Sequence, residues 1–79
     1  MTLGWMIVAQ LPDGQTKAMP TSPEVVDALP VELHATLPTL GGVWTEEVEA
    51  TTAWGKIPEE LRDRFEVVPV GITILSRSL

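Results

Sequence analysis

Leu3-Gly4-Trp5-Met6-Ile7-Val8-Ala9-Gln10-Leu11, then Pro12-Asp13-Gly14, then Gln15-Thr16-Lys17-Ala18-Met19-Pro20, is the stretch whose reading decides the fold. The first run is short, almost wholly apolar, and β-branched or aromatic in its middle, which favours a strand buried on both faces over a helix. The residues that follow settle the choice. Pro12 presets its own φ, Asp13 can bond the backbone locally, and Gly14 can take the positive-φ position of a tight turn, so the stretch predicts a β-hairpin. The second arm carries a lysine and ends in Pro20, which cannot donate to a ladder, and both features mark an edge strand. Leu3 to Leu11 is therefore the strand suited to the middle of a sheet.

The hairpin is followed by Ser22-Pro23-Glu24, an N-cap type, a proline for the first helical position and an acid for the positive end of the helix dipole. A helix is expected from Pro23, with Val25, Val26 and Leu29 on one side and Glu24 and Asp27 on another. Pro30 interrupts it and restricts Leu29. A second short turn is expected over Val31 to Leu37, ended by Pro38, with Gly41-Gly42 as the loop beyond it.

Val43 to Trp54 alternates and reads as the longest strand. Trp44, Val48, Ala50 and Trp54 share the core parity, while Thr45, Glu47, Glu49 and Thr51 share the solvated one. Glu46 falls on the core side and calls for an edge position or a cation. Ile57 to Phe65 reads as a short helix, with Pro58 at its start and a Glu60–Arg64 pair at i, i+4 spacing. Val67 to Leu75 reads as a last strand. Val68, Val70, Ile72 and Ile74 share one of its faces, and Pro69 and Gly71 confine it to an edge or a bulge. Leu29-Pro30-Val31-Glu32-Leu33 and Ile57-Pro58-Glu59-Glu60-Leu61 echo one another, but proline followed by an acid is how short helices start, and the flanks do not repeat. The expected architecture is one small α+β domain over residues 1–79 in the order β-β-α-(α)-β-α-β. Its sheet is mainly antiparallel, with short helices on one face.

Composition narrows the function classes. With 79 residues there is room for one core. An apolar fraction of 44% and a mean hydropathy of +0.18 are high for so small a chain and predict an exposed apolar patch of the kind that meets a partner or a second copy. Eleven acids against five bases give a net charge of −6, which argues against direct contact with nucleic acid. The lack of cysteine excludes disulfides and thiolate metal sites and suits the cytoplasm. No segment has the apolar length of a membrane span, and the apolar start lacks the basic flank and cleavage site of a signal peptide.

Chemistry-bearing motifs are sparse. His34 is the single histidine, so a histidine pair for a metal is excluded within one copy, and no nucleophile elbow supports a serine site. Gly41-Gly42 lacks the lysine and the helix start of a phosphate loop. Glu46, Glu47 and Glu49 form the densest acidic cluster, but the strand reading splits it across two faces, which describes a solvated surface better than a site. No catalytic residue, metal or cofactor is therefore assigned.

Of the three tryptophans, Trp5 and Trp44 read as core fillers. Trp54, before Gly55 at a strand end, is the interface candidate, accompanied by the acids Glu47, Glu49, Glu59, Glu60 and Asp63. The leading reading is a non-enzymatic module that binds another protein or itself. A second is an acidic mimic of nucleic acid that blocks a basic protein and needs Glu24, Asp27, Glu32, Glu47, Glu49, Glu59, Glu60 and Asp63 on one face. A third, least supported, is a metal-binding or enzymatic subunit using His34 and Glu46.

Overall fold

The computed structural model describes residues 3–71. The opening hairpin forms as expected. Strand β1 (Gly4–Gln10) is the centre of a three-stranded antiparallel sheet in the order β2-β1-β3, flanked by the two-residue edge strand β2 (Lys17–Ala18) and by β3 (Phe65–Val70). Between them Gly14 has φ +75° and donates its N–H to the Leu11 carbonyl at 2.8 Å. One Asp13 carboxylate oxygen accepts the backbone N–H of Gln15 at 2.9 Å and of Thr16 at 3.3 Å. These bonds favour the charged carboxylate over the acid and outweigh the small desolvation acting the other way, so the Asp13 pKa lies below its ordinary value.

The pairing of β1 with β3 runs from Gly4↔Val70 to Ala9↔Phe65, and this register assigns the two faces. Trp5, Ile7, Ala9, Phe65 and Val67 project to one side, and Gly4, Met6, Val8, Glu66, Val68 and Val70 to the other. The first side is the core. Ile7, Ala9 and Phe65 are buried there with Val25, Leu29, Leu37, Leu40 and Ile57, residues supplied by the helical segments. Each full burial of a large aliphatic side chain contributes about 1.5–3 kcal/mol. On the second side Met6, Val8, Val68 and Val70 are half-buried and do not belong to the core cluster. The expectation that β1 is buried on both faces thus holds for one face only.

Helix α1 (Pro23–Ala28) begins with Pro23 in its first turn. Ser22 stands at the N-cap through its backbone, its carbonyl accepting from Val25 and Val26 at 3.0 Å, but its hydroxyl makes no capping bond. Leu29, before Pro30, leaves the helix with extended φ −108°, ψ 154°. The expected turn over Val31 to Leu37 resolves into two 3₁₀ segments, Val31–Leu33 and Leu37–Leu40. Pro38 lies at the start of the second rather than at the end of the first. Pro suits a first turn, whose N–H groups have no partner, and the three-residue repeat brings Leu37 and Leu40 onto one buried side.

The largest correction concerns Val43 to Trp54, which is not a strand. Only Trp44 pairs with the sheet, through reciprocal 2.7 Å backbone hydrogen bonds with Trp5. Glu47–Trp54 then forms helix α2. Apparent alternation depended on counting Val48 as a core residue, whereas it is 68% exposed. The side chains that α2 turns inward are Ala50, Ala53 and Trp54, spaced i, i+3, i+4. Glu46 is the N-cap residue, and its N–H donates to the Glu49 carboxylate at 3.1 Å, which accounts for the one acid, Glu46, that the strand reading could not place. Thr52, a weak helix former, returns its hydroxyl to the Val48 carbonyl at 2.7 Å.

The segment expected as a helix over Ile57 to Phe65 is a 3₁₀ helix, Glu59–Arg64. With three residues per turn, Glu60 and Arg64 no longer face each other, and the ion pair found among the described residues is Lys17–Glu66 instead. Strand β3 starts two residues earlier than expected and takes the edge position anticipated from its proline. Ile72 and Ile74 lie outside the described residues. The α+β class, the mainly antiparallel sheet and the short helices on one face are as expected, with α2 in place of the third expected strand.

Two measurements follow from this geometry. A Cβ on Gly4 would sit 2.7 Å from the Trp44 carbonyl oxygen and 2.5 Å from Val43 Cγ1, so Gly4→Ala must push the Trp44 segment off β1. We expect a loss of about 1–3 kcal/mol in urea unfolding, the usual range for overpacking, together with loss of hydrogen-exchange protection at Trp5 and Trp44. For Asp13, NMR titration will place the carboxyl below its value in a short Leu-Pro-Asp-Gly-Gln peptide. The sign follows from linkage. A lowered folded-state pKa stabilises the hairpin at any pH above the unfolded value, and the contribution is lost as pH falls through the folded value.

Candidate functional site

Trp54, read from the sequence as the interface candidate at a strand end, packs against the core. Its ring is half-buried against the cluster, and its indole Nε1 donates to the Phe65 carbonyl at 3.0 Å. Arg62 lies over it, Cζ 5.8 Å from the ring centroid, a distance at which a cation–π contact is worth about 0.5–1 kcal/mol. The same guanidinium donates from Nε to the Ile57 carbonyl and from Nη2 to the Gly55 carbonyl, both at 2.8 Å. It thereby satisfies carbonyls just past the C-terminus of α2, where a cation also suits the dipole. Trp54 and Arg62 are a structural joint between α2, the 3₁₀ helix and β3. Sequence reasoning passed over Arg62 because its partners are brought to it by the fold.

The acids proposed beside Trp54 are all exposed, but they stand on separate elements, Glu47 and Glu49 in the first turn of α2 and Glu59, Glu60 and Asp63 on the 3₁₀ helix. Glu24 and Asp27 lie on α1 and Glu32 on the Val31–Leu33 turn. His34 is half-buried, with its Nε2 donating to the Leu29 carbonyl at 3.0 Å, and it braces the Leu29-Pro30 junction. Glu46 is engaged at the α2 N-terminus. The geometry thus brings neither His34 and Glu46 nor any larger set into a ligand cluster, and among the described residues no group of three or more His, Asp or Glu is placed to hold a metal ion. No described helix is long and apolar enough to cross a membrane.

What the fold does assemble is an apolar sheet face. Met6 and Val8 of β1 lie beside Val68 and Val70 of β3, in the register Met6↔Val68 and Gly4↔Val70. Because Trp44 pairs with Trp5 on the core side, its neighbour Val43 falls on the opposite side, and its Cγ1 overlies Gly4. Val43 is 60% exposed and Leu3, at the same end, 49%. Charge on this face comes from Glu66, which is paired with Lys17. The parity that defines the patch was readable in the strands. Its openness was not, since apolar residues on both faces of β1 gave no sign of which face the helices cover.

The two readings of Trp54 separate under one substitution. Trp54→Phe keeps the ring and removes the indole donor, leaving the Phe65 carbonyl without its partner. We expect a stability loss of about 1 kcal/mol in urea unfolding, where an exposed interface tryptophan would give no change. Compared with family models, with characterised proteins and with solved structures, the chain matches none of them.

Proposed function

We propose that this chain is a non-enzymatic protein-binding module, cytoplasmic in keeping with its cysteine-free composition, and that it works by presenting the open face of its sheet. The observation that carries this reading is that, among the described residues, the helical segments cover the sheet on one side only. Met6, Val8, Val68, Val70 and the exposed Val43 form a continuous apolar surface outside the core. Contiguous apolar surface of this kind is uncommon on a chain that stays alone. It replaces Trp54 and the acids Glu47, Glu49, Glu59, Glu60 and Asp63 as the binding surface.

A second copy is the occupant that suits the face best. Two such faces can pack as stacked sheets, side chains interdigitating across about 10 Å, and the pairing of Glu66 with Lys17 leaves no uncompensated charge to bury. A strand added at the β3 edge is a poorer alternative. The Val70 carbonyl accepts from Leu3, the residue before β1, so by alternation Phe65, Val67 and Pro69 point outward. The Phe65 carbonyl is taken by Trp54, and Pro69 has no N–H to offer.

Sedimentation equilibrium over a concentration series tests the reading. We expect the wild-type chain to approach twice its monomer mass and Val68→Lys to remain monomeric with an unchanged circular dichroism spectrum. Salt should strengthen association from about 10 mM up to physiological ionic strength and change it little beyond that, since each copy carries a net charge of −6 whose long-range repulsion is by then screened. A wild-type chain that stays monomeric at every concentration and salt level sinks the self-binding form of the proposal.

A further inference from the structure

A second feature, on the core side of β1, is an open cleft of about 420 Å³ between the hairpin turn, α1 and the start of β3. Its lining is mixed: Leu11 and Ala28 supply apolar side wall over a floor of core residues that includes Val25 and Leu29, Gln10 and the Pro12–Gly14 turn supply polar groups, and Arg64 stands at its edge. The volume lies in the range of small-molecule sites, and Arg64 is the one charged side chain in the lining.

The charges around the cleft are unevenly engaged. The Asp13 carboxylate, in the adjoining turn, accepts from Gln15 and Thr16, and Glu66 is held by Lys17. Asp63, next to Arg64, is exposed and is not part of the cleft lining. Arg64 makes no side-chain hydrogen bond or ion pair among the described residues, whereas Arg62, two positions earlier, is fully committed to backbone carbonyls. The cleft therefore combines an apolar interior with an uncommitted guanidinium whose flat fork matches a carboxylate.

We propose that this cleft binds a small monocarboxylate with a short unbranched or lightly branched apolar tail, the tail against Leu11, Val25 and Leu29 and the carboxylate on Arg64. The overall charge of −6 opposes an incoming anion, but at physiological salt charges more than about 8 Å away are largely screened. A guanidinium in contact is screened far less, so the local pair decides the sign. The free acid is the occupant proposed, and the end of a polypeptide is the alternative that the test separates from it.

The test is a ¹⁵N–¹H NMR titration of the full chain with sodium hexanoate, with hexanamide as the uncharged isostere and N-acetyl-leucine as a stand-in for a chain end, on wild type and Arg64→Gln. Arg64 is exposed, so its replacement leaves the core intact, which the spectrum itself verifies. Hexanoate should move the amide peaks of Ala9, Leu11, Val25 and Leu29 and bind about tenfold more tightly than hexanamide, the discrimination one charge-assisted contact supplies. In Arg64→Gln the two should become equal. Ala28→Phe, which fills the cleft from its α1 wall, should abolish the shifts. Equal binding of hexanoate and hexanamide to wild type, absence of shifts, shifts elsewhere on the surface, or tighter binding of N-acetyl-leucine than of hexanoate each overturns the proposal.

Discussion

Every long-range hydrogen-bonded contact of the sheet passes through the backbone of β1. Its register with β3 covers six residue pairs, its register with β2 covers two, and the edge that β2 leaves bare is closed near its start by Trp44. A strand with a side-chain period of two admits one register that buries Ile7 and Ala9, and a shift by one would bury Met6 and Val8 instead. The hairpin turn prevents that shift on the β2 side through Gly14 and Asp13. On the other side the Phe65–Ala9 pair at the core end does so, with Phe65 held from behind by Trp54. Gly4 matters for the same reason, because any Cβ there would collide with the Val43-Trp44 segment that pairs at Trp5.

From this centre the helical layer is built of pieces too short to be stable alone. Neither α1 nor α2 reaches the dozen or so residues at which isolated helices become marginally stable, and the remaining turns are 3₁₀. Their order comes from what they bury and from a few specific bonds at their ends. Arg62 holds the exit of α2, Glu49 its entry, and His34 the break after α1. A small domain that depends on end contacts in this way has little redundancy, and loss of one such bond removes a large share of a net stability of only a few kcal/mol.

The elements legible in the sequence were those whose signals were local and agreed with each other. Pro12-Asp13-Gly14 specifies its turn by the backbone angles and side-chain bonds of three residues, and an apolar run before it and a lysine and proline after it sort centre from edge. Pro23 marks a helix start by the same logic. The Val43–Trp54 segment failed because its inward residues include two alanines, which any period can accommodate, and because the exposed Val48 supplied a false beat. The acids at Glu46, Glu47 and Glu49 carry the better signal, an acidic first turn, to which a reading by strand parity is blind. For the candidate site the limit is of another kind. Residues on both faces of β1 are apolar, so which face stays open depends on where the helices dock. Arg62 and Arg64 differ only in what the fold places beside them.

The same arrangement reconciles an acidic chain with the association surface proposed for it. Of the eleven acids, Glu24, Asp27, Glu32, Glu47, Glu49, Glu59, Glu60 and Asp63 lie on helical segments and Glu46 at a helix cap. Asp13 is in the hairpin turn, and Glu66, on the open face, is paired with Lys17. The charge is carried by the layer behind the sheet. In a pair of copies packed sheet to sheet, each helical layer stands about 10 Å behind its own sheet, so the two acidic layers are separated by several screening lengths of about 8 Å at physiological salt. Repulsion between copies is then weak in that orientation and strong in any that brings helical faces together. An acidic helical layer therefore opposes the wrong approaches while leaving the sheet-to-sheet approach open, and charge and hydropathy act on one surface in the same direction.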